Sequence, residues 1–175
     1  MSSVVISGDS SGTVTLTVPS AAGTNTATLP AATGTVMVSG NMPAFSAYAT
    51  SGQAITTGVT KILFNTEEFD TNSNFASSRF TPTVAGYYQL NAFVSGTWTN
   101  LEVAIYIYKN GVGNKNGLDI KIPTLGLNYG LPINSLFYAN GTTDYFEIYL
   151  YSDNSQTLGS GITGTWFNGS MVRGA

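Results

Sequence analysis

The segment that most constrains the fold of this chain runs from Tyr87 to Val94, where the side chains alternate strictly between two faces. One face would be apolar and is formed by Tyr88, Leu90, Ala92 and Val94. The other would be mixed aromatic and polar and is formed by Tyr87, Gln89, Asn91 and Phe93. A period of two is typical of a β-strand with one buried face. Because such a strand needs neighbours, the segment predicts a sheet.

Further segments predict the strands that would complete the sheets. Turn-forming residues separate short apolar stretches near residues 44–49, 60–66, 86–95, 101–108, 131–138, 144–151 and 163–173. Two of these segments alternate clearly and would bury Val103, Ile105 and Ile107 and Phe146, Ile148 and Leu150. No segment has a convincing helical period. The sequence therefore predicts an all-β, antiparallel sandwich.

Composition excludes several classes of function. The chain has no histidine and no cysteine, which removes the usual general base, thiolate chemistry and the commonest metal ligands. The net charge is −3 and the basic residues are scattered, so nucleic acid is not an expected partner. No apolar run approaches the roughly 20 residues that span a bilayer. We therefore expect a protein that is not an enzyme, uses no cofactor and does not insert into a membrane.

Three short motifs resemble functional sites. Residues 8–12 fit GxSxG, but without a histidine base a serine-rich turn is the favoured interpretation. Residues 159–164 fit GxGxxG and are interpreted as a loop before the last strand. Glu67, Glu68 and Asp70 could hold a hard cation such as Ca²⁺. A solvated turn, or ion pairs with Lys61 or Arg79, is the favoured alternative.

Residues 1–42 differ from the rest of the chain and are predicted to form a separate N-terminal region. Asp9 is the one charged residue before Lys61, and Gly-Thr recurs at positions 12, 23 and 34. The repeat predicts three short strands, with a flexible Ser/Thr/Gly tail as the alternative. So small a sheet cannot order itself, and copies of itself or another protein would have to cover it. The apolar residues expected to attach this region are Val4, Ile6, Val14, Leu16, Val18, Leu29, Val36 and Val38.

Aromatic residues occupy outward positions on the predicted strands of residues 43–175. A face rich in aromatic and poor in charged residues is typical of a protein–protein interface. The predicted self-association residues are Tyr87, Phe93, Tyr106, Tyr108, Tyr149 and Tyr151. Two alternatives remain open: the tyrosines could form a second core layer under loops, or they could stack on a glycan.

The C-terminal region resembles a known family through several motifs in the family's order. The pattern FxPxxxGxY at Phe80–Tyr88 is followed by the alternating strand, and the turn at residues 109–111 and the segment 165–172 also match. These residues resemble the globular head of complement subcomponent one-q, a jelly roll shared with the tumour necrosis factor family. The resemblance covers residues 43–175 and implies a homotrimeric head. The sequence departs from the family pattern at residues 140–144.

The N-terminal region resembles a segment found in bacteriophage virion proteins. Residues 6–9 and 22–36 carry the pattern, which tends there to precede a fibre tip or surface domain. The resemblance implies a trimeric capsid decoration protein or head fibre, assembled in the host cytoplasm and exposed on the virion surface. Its partners would be the major capsid protein or a tail or baseplate protein. The alternative is a tail-fibre adhesin that binds a glycan or receptor on the host surface.

Overall fold

The computed structural model describes residues 3–21, 23–28, 31, 33–34, 36–99, 101–122 and 127–175. The chain divides into two compact units, Met1–Gly34 and Thr35–Ala175. We call the second unit the head. The division lies eight residues before the predicted one, because Met37 and Gly40 already contact the rest of the head. Met37 packs against the head's core, and Asn72 Nδ2 donates a hydrogen bond of 3.2 Å to the Gly40 carbonyl oxygen.

The first unit contains one β-hairpin. Strands β1 (Ser3–Ser7) and β2 (Thr13–Thr17) pair antiparallel, with Val4 opposite Leu16 and Ile6 opposite Val14. The Gly8 N–H donates a 3.0 Å hydrogen bond to the Gly12 carbonyl oxygen and closes the connecting turn. The predicted serine-rich turn is thus confirmed. The predicted second and third strands are absent from the described parts of 23–38.

The head is a sandwich of two antiparallel sheets. Its strands are β3 Ala44–Tyr48, β4 Ala54–Ile55, β5 Gly58–Lys61, β6 Thr66–Asp70, β7 Phe75–Ala76, β8 Arg79–Phe80, β9 Gly86–Trp98, β10 Leu101–Lys109, β11 Val112–Ile122, β12 Leu127–Ala139, β13 Phe146–Ser152, β14 Gln156–Thr157 and β15 Thr165–Gly174. The first sheet has five strands in the order β12-β9-β15-β3-β6. The second has six, ordered β11-β10-β13-β8-β7, with β5 also paired to β13. A further pair, β14-β4, forms a separate two-stranded sheet.

The core lies between the two sheets and confirms the predicted alternation. Tyr88, Leu90, Ala92 and Val94 of β9 are completely buried, as are the predicted inward residues of β10 and β13. Phe45 joins the sheets at the centre, since its ring stacks on Phe80 at 4.3 Å and meets Phe167 edge-on at 4.8 Å. The head is therefore the all-β, antiparallel jelly roll that the sequence predicted.

The longest strand that the sequence analysis missed is β11. It follows a two-residue turn at Asn110 and Gly111, both of which have positive φ angles, 55° and 77°. Asn-Gly is the preferred sequence for this type of hairpin turn. Most side chains of β11 are exposed, so the strand lacks the alternation that marks a buried face. Among the described residues, the one helical turn is Ser39–Asn41, and no helix is long and apolar enough to cross a membrane.

Candidate self-association surface

The outward side of the five-stranded sheet carries two rows of side chains that cross it from strand to strand. In the aromatic row, Phe93 lies opposite Pro132 on one side and Trp166 on the other, and Trp166 lies opposite Tyr48. The Phe93 and Trp166 rings are stacked with centroids 6.0 Å apart. Gly130 makes room for this row, because a Cβ there would collide with the Phe93 ring. The strand register and the glycine at position 130 therefore determine where this row lies.

The second row is polar and ends beside a carboxylate, since the Ser46 hydroxyl donates a 2.7 Å hydrogen bond to Glu68 Oε2. Asn91 lies opposite Asn134 and Asn168, and Asn168 lies opposite Ser46. Asn91 Nδ2 donates a 3.0 Å hydrogen bond to Asn168 Oδ1, and Gln89 Nε2 donates a 3.2 Å bond to Asn91 Oδ1. The amide groups of Gln89, Asn91 and Asn168 are therefore joined into one network across strands β9 and β15.

Large apolar and aromatic side chains extend this side of the sheet. Leu136 is 51% exposed, Tyr138 45% and Tyr87 40%, and the rings of the two tyrosines lie 5.5 Å apart. Strands β3, β9 and β12 contain no charged residue, and β15 contains one, Arg173. We call the outward side chains of β12, β9, β3 and β15 as far as Ser170 the uncharged face. Its composition is that of an interface centre, where charges are depleted and aromatics enriched.

The six predicted interface residues are divided between the two sides of the sandwich. Tyr87 and Phe93 lie on the uncharged face. Tyr106 and Tyr108 of β10 and Tyr149 and Tyr151 of β13 lie on the outward side of the other sheet, which we call the tyrosine face. The core separates the two groups, so the six residues do not form one surface. The uncharged face also contains three residues that the sequence analysis did not select, Leu136, Tyr138 and Trp166. Alternation along β12 would have identified the first two as outward residues.

The tyrosine face is packed against itself. The rings of Tyr108 and Tyr149 are stacked with centroids 4.1 Å apart, and Tyr106 meets Tyr108 edge-on at 6.3 Å. All four tyrosines are only partly exposed. Burial, followed by the negative charge of Asp119, raises the pKa of Tyr106, and burial, followed by Glu147, raises that of Tyr149. These side chains therefore cover one another.

A buried carboxylate fixes one side of the tyrosine face. Glu147 Oε1 accepts hydrogen bonds from Lys61 Nζ at 2.6 Å and Arg79 Nε at 2.8 Å, and the Glu147 side chain is 3% exposed. The Arg79 guanidinium also lies 3.9 Å from the centre of the Tyr145 ring. Burial opposes ionisation of Glu147, but the hydrogen bonds from Lys61 and Arg79 outweigh it and lower its pKa. Charged groups thus belong to this face.

The acidic cluster near β6 is divided among separate partners. Glu68 Oε2 accepts a 2.7 Å hydrogen bond from the Ser46 hydroxyl, and Asp70 Oδ2 accepts one of 2.7 Å from the Phe75 N–H. The favoured alternative to a cation site was a solvated turn or ion pairs with Lys61 or Arg79. The three acidic residues lie in strand β6 and not in a turn, and the two cations pair with Glu147 instead. Within the described ranges, no group of three or more acidic side chains is arranged to hold a metal ion.

The turn at residues 140–144, where the sequence departs from the family pattern, is held by Asp144. Its carboxylate accepts hydrogen bonds from Asn110 Nδ2 at 2.8 Å and from the Asn140 N–H at 3.0 Å, and Lys109 Nζ lies 2.9 Å away. Burial opposes ionisation, but these contacts lower the pKa of Asp144. The carboxylate therefore joins this turn to the β10–β11 turn.

The predicted attachment residues are exposed wherever the structure describes them. Val4, Ile6, Val14 and Leu16 are between 56% and 62% exposed on one face of the hairpin. Val18, Val36 and Val38 are exposed as well, and Leu29 lies outside the described residues. Within the described residues of the first unit, nothing covers the hairpin's apolar face.

Comparison with known proteins identifies the fold. No protein-family model and no curated protein matches the sequence. Among solved structures, the chain is similar to the globular domain of zebrafish complement 1qA protein, with a TM-score of 0.59 and 15% identity over 76% of this chain and 98% of that one. It is also similar to murine APRIL (TM-score 0.57, 9% identity, 75% and 99%). A third similar structure is Eiger TNF from S. frugiperda (TM-score 0.52, 6% identity, 76% and 95%). The head therefore has the jelly-roll fold of the complement one-q and tumour necrosis factor domains.

Proposed function

We propose that this chain is a non-enzymatic structural protein of a bacteriophage virion, whose head forms a homotrimer through the uncharged face. The observation that carries the proposal is the face itself. It exposes Leu136, Tyr138 and Tyr87 around a network of asparagine amides, with no charge on β12, β9 or β3. A side chain set of this kind loses less by desolvation than a charged one and gains by apolar burial.

The virion assignment rests on the sequence of the N-terminal region. Residues 6–9 and 22–36 resemble the segment that precedes surface domains in phage proteins. Every residue of the β1–β2 hairpin is exposed, as we expect of an attachment region. Within the proposal, residues 1–34 hold the head on the particle, and the major capsid protein is the partner.

The trimer is tested with a matched pair of leucine substitutions. Leu136 of β12 lies on the uncharged face and Leu118 of β11 lies outside it; they are 51% and 38% exposed. Leu136→Lys would place the three ammonium groups of a trimer in the proposed interface, whereas Leu118→Lys would place the same three on the exposed surface. We expect sedimentation equilibrium to show a trimer for the unmodified chain and for Leu118→Lys, and monomers for Leu136→Lys. A monomeric unmodified chain, or equal effects of the two substitutions, would refute the proposed interface.

The location is tested on intact particles by immunogold electron microscopy with antibody against the head. Label over the capsid is the expected result and supports decoration. Label confined to the tail would instead support the second candidate, a tail-fibre adhesin. Absence of label from particles that carry other virion antigens would overturn the virion proposal.

A further inference from the structure

The β1–β2 hairpin has two faces of opposite character. Antiparallel pairing places Val4 beside Leu16 and Ile6 beside Val14, so four aliphatic side chains share one face. The pairs on the other face are Ser3 with Thr17, Val5 with Thr15 and Ser7 with Thr13. A two-stranded hairpin is marginal in water without further burial. This division predicts that one specific face, the aliphatic one, is covered in the assembled protein.

The chemistry of the aliphatic face favours a partner of the same kind. It carries no charge and no hydrogen-bonding side chain, and Asp9, in the turn, is the one charge in residues 1–60. A different protein could therefore not recognise this face through complementary charges. An identical face from another copy matches it in polarity and, around a symmetry axis, in shape.

The proposed head trimer would supply these copies at high local concentration. Residues 18–35 join β2 to the head and can span at most about 60 Å even when fully extended. Three hairpins tethered to one trimer would therefore share a volume in which each copy is present at about a millimolar concentration. A free capsid protein would have to exceed that concentration to reach the aliphatic face first.

We propose that the aliphatic faces of three hairpins pack against one another around the three-fold axis. This inference rests on the proposed trimer. It assigns Val4, Ile6, Val14 and Leu16 to contacts between copies of this chain. The Ser/Thr-rich faces then point outward, and they are the part of this region that remains free to contact the particle.

Single cysteines test the inference directly, because the chain has none of its own. Ile6→Cys and Val14→Cys place a thiol on the aliphatic face, and Val5→Cys and Thr15→Cys are the matched controls on the opposite face. Each full-length variant would be oxidised with copper phenanthroline at low micromolar concentration and analysed on a non-reducing gel. We expect disulfide-linked dimers to form at least tenfold faster for the first pair. Equal rates for the two pairs, or faster linkage of the controls, would overturn the inference.

Sedimentation of the same samples separates this inference from the proposed trimer. Trimers whose Ile6→Cys and Val14→Cys forms do not cross-link would refute the hairpin packing and leave the head trimer standing. A monomeric unmodified chain would refute the trimer itself. In the Leu136→Lys background, Ile6→Cys cross-linking should become dependent on protein concentration; linkage that stays independent of concentration would contradict the tether argument.

Discussion

The two outer faces of the head are both rich in aromatic residues, yet they differ in what holds those residues. On the uncharged face, Tyr87 and Tyr138 are at least 40% exposed. Two cations lie at the edge of this face, since Arg173 is opposite Tyr87 and Lys109 Nζ is 5.9 Å from the centre of the Tyr138 ring. On the tyrosine face, the rings of Tyr108 and Tyr149 stack on each other, and the buried Glu147 carboxylate lies beside them. Tyr87 and Tyr138 therefore keep much of their surface exposed, whereas Tyr108 and Tyr149 cover part of theirs by packing against each other.

The comparison shows that aromatic content alone does not identify an interface. The free energy gained on association comes from surface that is still exposed in the monomer. Charged groups near the contact must be desolvated, which reduces that gain. The uncharged face is the better candidate, because its large side chains are more exposed and its charged groups lie at its edge. In the experiments that follow, urea unfolding is measured in the Leu136→Lys variant. We expect this variant to be monomeric, so a change in the stability of the fold is not mixed with a change in association.

The largest effect is expected from Glu147→Ala on the tyrosine face. The substitution leaves Lys61 and Arg79 without the carboxylate that they share. Breaking a buried ion pair costs about 3 kcal/mol, and the partial exposure of both cations should keep the loss near the lower end. We expect this decrease in the free energy of urea unfolding. Glu102→Ala, which removes a carboxylate from the same sheet, is the control, and a similar loss in both variants would contradict the role of the network.

Acid should destabilise the head through the same carboxylates. The folded-state pKa values of Glu147 and Asp144 lie below their ordinary values of 4.5 and 3.8. Their contribution to stability is therefore complete above the ordinary values and is lost as the pH falls through the folded values. The unfolding free energy should be level from pH 7 to about pH 5 and then decline. Glu147→Gln should flatten this decline; an unchanged acid limb in that variant would exclude Glu147 as a cause.

Replacing one tyrosine on each face should produce opposite phenotypes. Tyr149→Ala removes the ring stacked on Tyr108 and should lower the unfolding free energy by about 2 kcal/mol without dissociating the trimer. Tyr138→Ala should weaken association roughly tenfold and change the stability of the monomer by less than about 1 kcal/mol. Sedimentation of both variants, with urea unfolding in the monomeric background, distinguishes these outcomes. Dissociation by Tyr149→Ala would move the interface to the tyrosine face, in agreement with the original grouping of six aromatic residues.

Sequence patterns predicted the buried part of the head better than its exposed part. The alternation in β9, β10 and β13 identified inward residues such as Leu90, Ile105 and Ile148, because burial imposes a period of two. The same reasoning missed β11, whose exposed residues are under no such constraint. It also placed Tyr87 and Tyr149 on one surface, since alternation tells inward from outward but does not tell which sheet a strand joins. That information comes from long-range pairing, such as β9 with β15 and β10 with β13.

The smallest effect is expected from the asparagine network of the uncharged face. In a single chain, Asn91→Ala leaves the Asn168 amide close to solvent, which can replace the lost 3.0 Å hydrogen bond. In the proposed trimer the same amide would be buried, and an unpaired buried polar group costs about 1–3 kcal/mol. We therefore expect a change in association of about 1 kcal/mol, roughly fivefold in the dissociation constant, and almost none in the stability of the monomer.

Asn114→Ala, on the exposed strand β11, provides the matched control for this last comparison and should change neither quantity. An Asn91→Ala effect that appears equally in the monomeric background would show that the amide network stabilises the sheet itself. The uncharged face would then resemble the tyrosine face, since its side chains would be stabilised within one chain. The exposure of Leu136 would no longer indicate an interface. An effect confined to association would show that the two faces, alike in aromatic content, serve different purposes in the same fold.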